Sequence, residues 1–236
     1  METEIPALFR RREDVLPERF TFHSSRMRMH NVTKEELAAM DRDSLRCAAE
    51  LADARVDIMG YACLVAIMSM GLGYHRESEK RVTQTALENY CKAAVVTSAG
   101  ALVDGLKAIN ALRVSIMTPY MKPLTQLVVQ YLESEGIQVI DAISFEIANN
   151  LEVGGRDPML LVSDVDRLNI EGADAVVLSA CVQMQSLPAV QIVEDKLGLP
   201  VTSAAICTTR KMLESLGLEP YVAGAGALLS TRLVVA

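Results

Sequence analysis

Apolar positions along the chain follow two patterns. Short runs rich in Val and Ile alternate with longer segments in which apolar residues recur at helical spacing. The first pattern reads as strands buried on both faces, the second as amphipathic helices. Residues 5–19, with Pro6 and Pro17, predict a short helix between the prolines, and residues 20–26 (FTFHSSR) predict a strand. A helix is predicted over 33–54, where Thr33 and Glu36 have the spacing of a capping box. The strand at 56–62 leads to Cys63, and a glycine-bearing loop occupies 70–75. Then follow a helix over 77–92, a strand over 94–97, a helix over 99–112 and a strand over 112–118. Residues 124–135 predict a helix closed by Gly136, and 137–142 a strand. Residues 145–158 read as irregular and 158–168 as helix. The Val-rich strand 175–178 leads to Cys181. A helix (190–197), a strand (199–202) and a helix (204–216) follow, and the small residues around Gly224 and Gly226 turn into a last short helix.

Strands alternating with helices in this way predict an α/β fold with a mainly parallel sheet and right-handed connections. The order repeats. Val96-Thr97-Ser98-Ala99 recurs as Val201-Thr202-Ser203-Ala204, each time after an Ala-Cys strand and at a strand-to-helix turn. The expected architecture is two similar, doubly wound parallel-sheet halves related by a pseudo-two-fold. Cys63 and Cys181 then meet in the cleft between them. The carboxyl ends of strands are where open α/β sheets bind ligands.

Composition narrows the chemistry. The chain has 236 residues, 50% of them hydrophobic, enough for one large α/β domain or two small ones. With a net charge of −7 and no basic block, it offers nothing to nucleic acid. No apolar run approaches the ~18 residues of a membrane span, and the N-terminus lacks the features of a signal peptide, so the expected location is the cytoplasm. The five cysteines are odd in number and lack CxxC spacing, which argues against a disulfide framework or a structural zinc site. Cys47, Cys91 and Cys207 fall in helical patterns and read as core or helix-face residues. His23, His30 and His75 read as surface or loop histidines. No dinucleotide, P-loop or zincin motif is present, and AGAGA at 223–227 reads as a tight turn.

Two thiols on opposite walls of a cleft can act in opposite senses. One, as thiolate, takes a proton or attacks carbon; the other, as thiol, gives a proton. Free N–H groups at a strand-to-helix turn can stabilise a thiolate or bind a carboxylate. Neither act calls for a metal or an organic cofactor.

GYACLVA around Cys63, TPY at 118–120, NNLEVGGRDP from Asn149, SACVQMQSL around Cys181 and GLPVTSAA from Gly198 together carry a resemblance. The chain resembles the maleate cis–trans isomerases of the aspartate/glutamate racemase superfamily over essentially its whole length. The family's usual ACVQMPSL has Pro where Gln185 stands here. The resemblance implies a cofactor-independent conversion of maleate to fumarate through a succinyl-cysteine. Cys63 matches the nucleophile and Cys181 the proton donor and acceptor. Tyr120 and Asn150 match carboxylate-binding residues, as do the backbone N–H groups at Leu64, Val65, Val182 and Gln183. It further implies a cytoplasmic homodimer that serves nicotinate breakdown. The implied halves are residues 1–100 with 215–236, and residues 101–214.

In the family, a first strand and a Ser-Ser-Asn-Thr-Thr type loop precede the segment matching METEIPAL, where this chain starts. The expectation is that Met1 is an internal methionine of a longer protein. Two rival readings share the residues. One is an amino-acid or hydantoin racemase using the same thiols, which the CVQM and TPY surroundings disfavour; arylmalonate decarboxylases lack the first cysteine. The other is an inactive dicarboxylate-binding protein.

Overall fold

The Val-rich runs assemble into two separate parallel sheets. The structure, a computed structural model, describes residues 2–30 and 33–230. In the first sheet β1 (Ile58–Tyr61) pairs with β2 (Ala94–Thr97), Ile58 opposite Ala94 and Tyr61 opposite Thr97. The second contains β3 (Arg113–Thr118), β4 (Gln138–Ser144), β5 (Ala175–Ser179) and β6 (Val201–Ser203) in the order β4-β3-β5-β6. All these pairings are parallel, the arrangement that alternating strands and helices predict. β5 reads Ala-Val-Val-Leu-Ser because it is sealed on both faces; every one of its residues is buried.

The helices are α1 (Glu4–Glu13), α2 (Lys34–Asp53), α3 (Leu64–Met68), α4 (Tyr74–Glu88), α5 (Ser98–Ala108), α6 (Lys122–Ser134), α7 (Asn150–Gly155), α8 (Leu161–Asp164), α9 (Leu187–Leu197) and α10 (Ala204–Ser215). Short 3₁₀ turns flank α8, and another at Ala227–Leu229 packs on β6 and α10. Thr33 caps α2 by accepting the Glu36 N–H, and the Glu36 carboxylate accepts the His30 N–H at 2.6 Å. Gly136, at φ +83, ends α6 in the left-handed conformation that suits glycine.

The repeated VTSA segments are both strand-to-helix turns, capped one position apart. Thr97 accepts the Gly100 N–H to open α5, and Ser203 accepts the Ile206 N–H to open α10. The two helices meet closely. A Cβ on Gly105 of α5 would lie 2.7 Å from Cys207 Sγ of α10. α1 ties the ends of the chain together: the buried Arg12 guanidinium donates to the carbonyls of Glu219 and Tyr221 at 2.6 and 2.9 Å. Glu4, also buried, accepts the N–H groups of Ser186 and Leu187 where α9 begins. Burial raises the Glu4 pKa against the pull of those two N–H groups.

Several sequence expectations are corrected. Residues 20–26 form no strand. Phe20 and Phe22 instead pack on Phe9 of α1, with ring centroids 4.6 and 6.0 Å away, and the Phe20 N–H donates to Glu13. A β-favouring sequence becomes a strand only beside a partner backbone. Here residues 20–24 face, across a cavity of about 630 Å³, the edge of β1 that pairs with no strand among the described residues. The stretch read as irregular contains α7, started by the Asn149 side chain accepting the Leu151 N–H at 2.8 Å. Cys91 lies beyond α4 rather than on it, buried with its Sγ against the Val56 carbonyl. His75 is not at the surface. It is 5% exposed, and its Nδ1 lies 2.6 Å from the Tyr131 hydroxyl.

Candidate active site

Cys63 and Cys181 each stand two residues beyond a strand end, Cys63 after β1 and Cys181 after β5. Cys63 is the extended N-cap residue of the short α3. The first-turn N–H groups that follow it have no intrahelical acceptor. Cys181 lies in a loop that continues to Ser186, the N-cap of α9. Ser179 folds that loop back on itself: its buried hydroxyl donates to the carbonyls of Cys181 and Met184 at 2.8 and 2.9 Å. The SACVQM sequence therefore makes a compact loop rather than a helix start.

Both thiols line one cavity of about 460 Å³. Leu64 and Val65 on the Cys63 side line it too, as do Val182 and Gln183 on the Cys181 side. Tyr120, delivered by the Thr118-Pro119 end of β3, adds its buried phenol; the hydroxyl donates to the Ala180 carbonyl at 3.4 Å and bonds the Cys181 side chain. Asn150, the first residue of α7, completes this wall. Two glutamines hold α7 to the Cys181 loop. Gln183 Nε2 donates to the Asn150 carbonyl at 2.6 Å, and Gln185 Nε2 to the Gly154 carbonyl at 3.3 Å. The structure thus brings together Cys63, Cys181, Tyr120, Asn150 and the two backbone pairs.

Burial opposes ionisation of Cys63 and Tyr120. Burial pushes the Cys63 thiol up to about 12; the Ala66 N–H pulls it down and Cys181 adds to the rise. Burial likewise holds the Tyr120 pKa well above its ordinary value, helped by the neighbouring thiols, so the phenol is a neutral donor. The remaining cysteines stay apart: Cys47 and Cys91 are buried elsewhere, and Cys207 is buried at the α5–α10 contact. Among the described residues no group of three His, Cys, Asp or Glu could hold a metal ion. No helix among them is long and apolar enough to cross a membrane.

One wall of the cavity is invisible to motif reading. It comes from Glu2 and from residues 23–27 and 29, a stretch that starts inside the segment expected to be a strand and runs beyond it. This segment is laced to α2. Ser25 Oγ donates to Glu50 at 2.5 Å, and Arg46 donates to the Arg26 carbonyl at 3.0 Å. The RMRM sequence carries no spacing signal for a site; only the path of the chain puts it there.

The family model described as arylmalonate decarboxylase matches residues 11–229. The maleate isomerase of Pseudomonas putida strain KT2440 is 61% identical over 230 residues, covering 98% of this chain and 92% of the relative. A crystal structure of the maleate isomerase of Pseudomonas putida S16 with maleate, a cysteine-to-alanine variant, superposes with a TM-score of 0.96 at 58% identity. It covers 97% of this chain and 92% of that one. A cysteine-to-serine variant of the Nocardia farcinica maleate cis–trans isomerase, which carries a covalently bound succinylcysteine intermediate, gives a TM-score of 0.94 at 44% identity. It covers 98% and 94% of the two chains. The fold is that of the aspartate/glutamate racemase superfamily, and the chain belongs to the family of the matching model and, within it, to the maleate isomerases, enzymes of the maleate cis–trans isomerase class.

Proposed function

We propose that this chain converts maleate to fumarate without a cofactor, with Cys63 as nucleophile and Cys181 as proton donor and acceptor. The observation that carries the reading is the placement of two thiols at matching strand ends on the walls of one cavity. The alkene of maleate, flanked by two carboxylates, is electron-poor. The Cys63 thiolate adds to one alkene carbon while Cys181 delivers its proton to the other. A C–S and a C–H bond form as the π bond and the S–H bond break. The product is a succinyl thioether on Cys63 and a thiolate on Cys181. Rotation about the new single bond carries the carboxylates from cis to trans. Cys181 then takes back the proton, the Cys63–carbon bond breaks, and fumarate leaves. Substrate and product are isomers, so no electrons are gained or lost and the reaction has no use for a redox carrier. The succinylcysteine in the Nocardia farcinica relative supports the covalent step.

On this reading the first-turn N–H groups at Leu64 and Val65 hold one carboxylate, with those at Val182 and Gln183, the Tyr120 hydroxyl and the Asn150 amide on the other. A neutral Tyr120 suits that role, since only the protonated phenol donates. The same reading divides the chain into halves at 1–100 with 215–236 and at 101–214. It also makes the protein a cytoplasmic homodimer serving nicotinate breakdown; both statements rest on the resemblance to the family.

The test is incubation with maleate, followed by proton NMR for fumarate and intact mass of the protein. Fumarate is expected from the parent chain. Cys63→Ala and Cys181→Ala should each cut the rate about a thousandfold or more, the scale for losing a nucleophile or proton donor. A succinyl-sized mass increment is expected on the Cys181→Ser variant and not on Cys63→Ala. Fumarate formation by a folded Cys63→Ala variant would overturn the assignment.

A further inference from the structure

Maleate is mainly a dianion at neutral pH, although each carboxylate raises the pKa of its cis neighbour. The donors assigned to it so far, a phenol, an amide and backbone N–H groups, are all neutral. Arg26 is the one Lys or Arg side chain among the described residues that line the cavity. It stands at the mouth, with its guanidinium largely exposed and 3.4 Å from the Glu2 carboxylate, which also lines the cavity. The backbone beneath it is held firmly. Arg46 donates to the Arg26 carbonyl at 3.0 Å while reaching Asp43 and Glu50 on its own helix at 2.8 and 2.6 Å. The adjacent Ser25 is bonded to Glu50. α2 therefore fixes the main chain of this segment over the cavity and leaves the Arg26 side chain facing a carboxylate supplied by the chain itself.

We propose that Arg26 is a specificity-determining residue that exchanges Glu2 for the outer carboxylate of the substrate. The site thereby prefers a dicarboxylate to its monoester. This rests on the maleate reading above. Neutral donors bind a carboxylate, but they give little discrimination between one negative charge and two. A guanidinium matches the second carboxylate in charge and in its forked geometry. Glu2 acts as an internal competitor that must be displaced.

The experiment is steady-state kinetics of the parent chain and of R26Q, R26K and E2Q. Each is assayed with maleate and with monomethyl maleate, at low and high salt, and folding is followed by circular dichroism. R26Q should raise KM for maleate about tenfold, the scale of one partly solvated charged hydrogen bond, while kcat moves by less than about threefold. KM for the monoester should barely change, so the preference for the dianion collapses. R26K should recover part of the loss. E2Q should lower KM for maleate about two- to threefold. The parent KM should rise with salt and the R26Q KM should not. An unchanged KM in R26Q, or an equal rise for both substrates, overturns the proposal. If R26Q does not fold, E2Q decides: a lowered KM supports the exchange and an unchanged one overturns it. If the parent makes no fumarate, the catalytic reading has failed instead, and calorimetric titration with maleate then decides. Weaker binding to R26Q supports the role of Arg26, and equal binding overturns it.

Discussion

β1 and β5 each lead, two residues on, to a cysteine in the same cavity, and each is paired along one edge by the strand that opens a VTSA turn. Along its other edge β5 meets β3, from Val114 opposite Ala175 to Ile116 opposite Val177. β1 meets instead a cavity of about 630 Å³. The two thiols thus sit on local motifs of the same kind with different backing. Cys181 extends from a strand sealed on both faces and paired on both edges. Cys63 extends from a strand paired on one edge only among the described residues, and it is the N-cap residue of α3. A strand-end cysteine is a local feature; the stiffness behind it comes from which strands happen to be neighbours.

After loss of either thiol, the largest expected effect is the pH dependence that Cys63 sets. Cys63 is pushed up to about 12, so its thiolate fraction grows about tenfold per pH unit through the neutral range. With Cys63 as the attacking thiolate, kcat/KM should rise by up to about a hundredfold between pH 6 and 8. A flat profile would mean that ionisation of Cys63 is not a separate step before attack.

Stability should follow the backing of the strands. Leu178 of β5 is fully buried, and Leu178→Ala should cost about 3 kcal/mol in urea unfolding. Ile58 of β1 is only partly buried and borders the open cavity, so Ile58→Ala should cost about 1 kcal/mol because no new enclosed void is made. Equal costs would show that β1 is as firmly held as β5.

The contact joining the repeats comes next. Gly105→Ala places a methyl 2.7 Å from Cys207 Sγ, which should cost about 2 kcal/mol. Adding Cys207→Ala should recover more than half of that, read as a double-mutant cycle. The smallest effect is expected where the Cys181 loop meets α7. Gln185→Pro, the residue more usual at this place in the family, loses the bond to the Gly154 carbonyl. It should shift stability by less than about 1 kcal/mol, since proline also restricts the unfolded chain. Slower amide exchange in α7 would contradict a tethering role for Gln185.

Much of this was legible in residue order. The residue pattern places strand 94–97 at its observed bounds and strands 112–118 and 175–178 within a residue of theirs, because a buried parallel strand leaves an uninterrupted Val/Ile/Leu run. Thr33 as a cap, the turn at Gly136 and both VTSA turns were readable because each satisfies its own nearby backbone groups. Cys63, Cys181, Tyr120 and Asn150 were legible as a set through their motifs, and they do line one cavity.

The misreadings share one physical cause. Residues 20–26 have strand-like residues, yet a ladder needs a second backbone, and no strand among the described residues pairs with them. His75 looks like a loop residue until α6 brings Tyr131 against it. Arg26 has no motif at all; its place at the cavity mouth depends on Arg46 and Glu50, some twenty residues on, gripping its segment. Periodicity and caps are set within a few residues of chain and can be read directly. Strand partners, buried hydrogen bonds and the far wall of a cavity join residues distant in sequence, so they follow from packing.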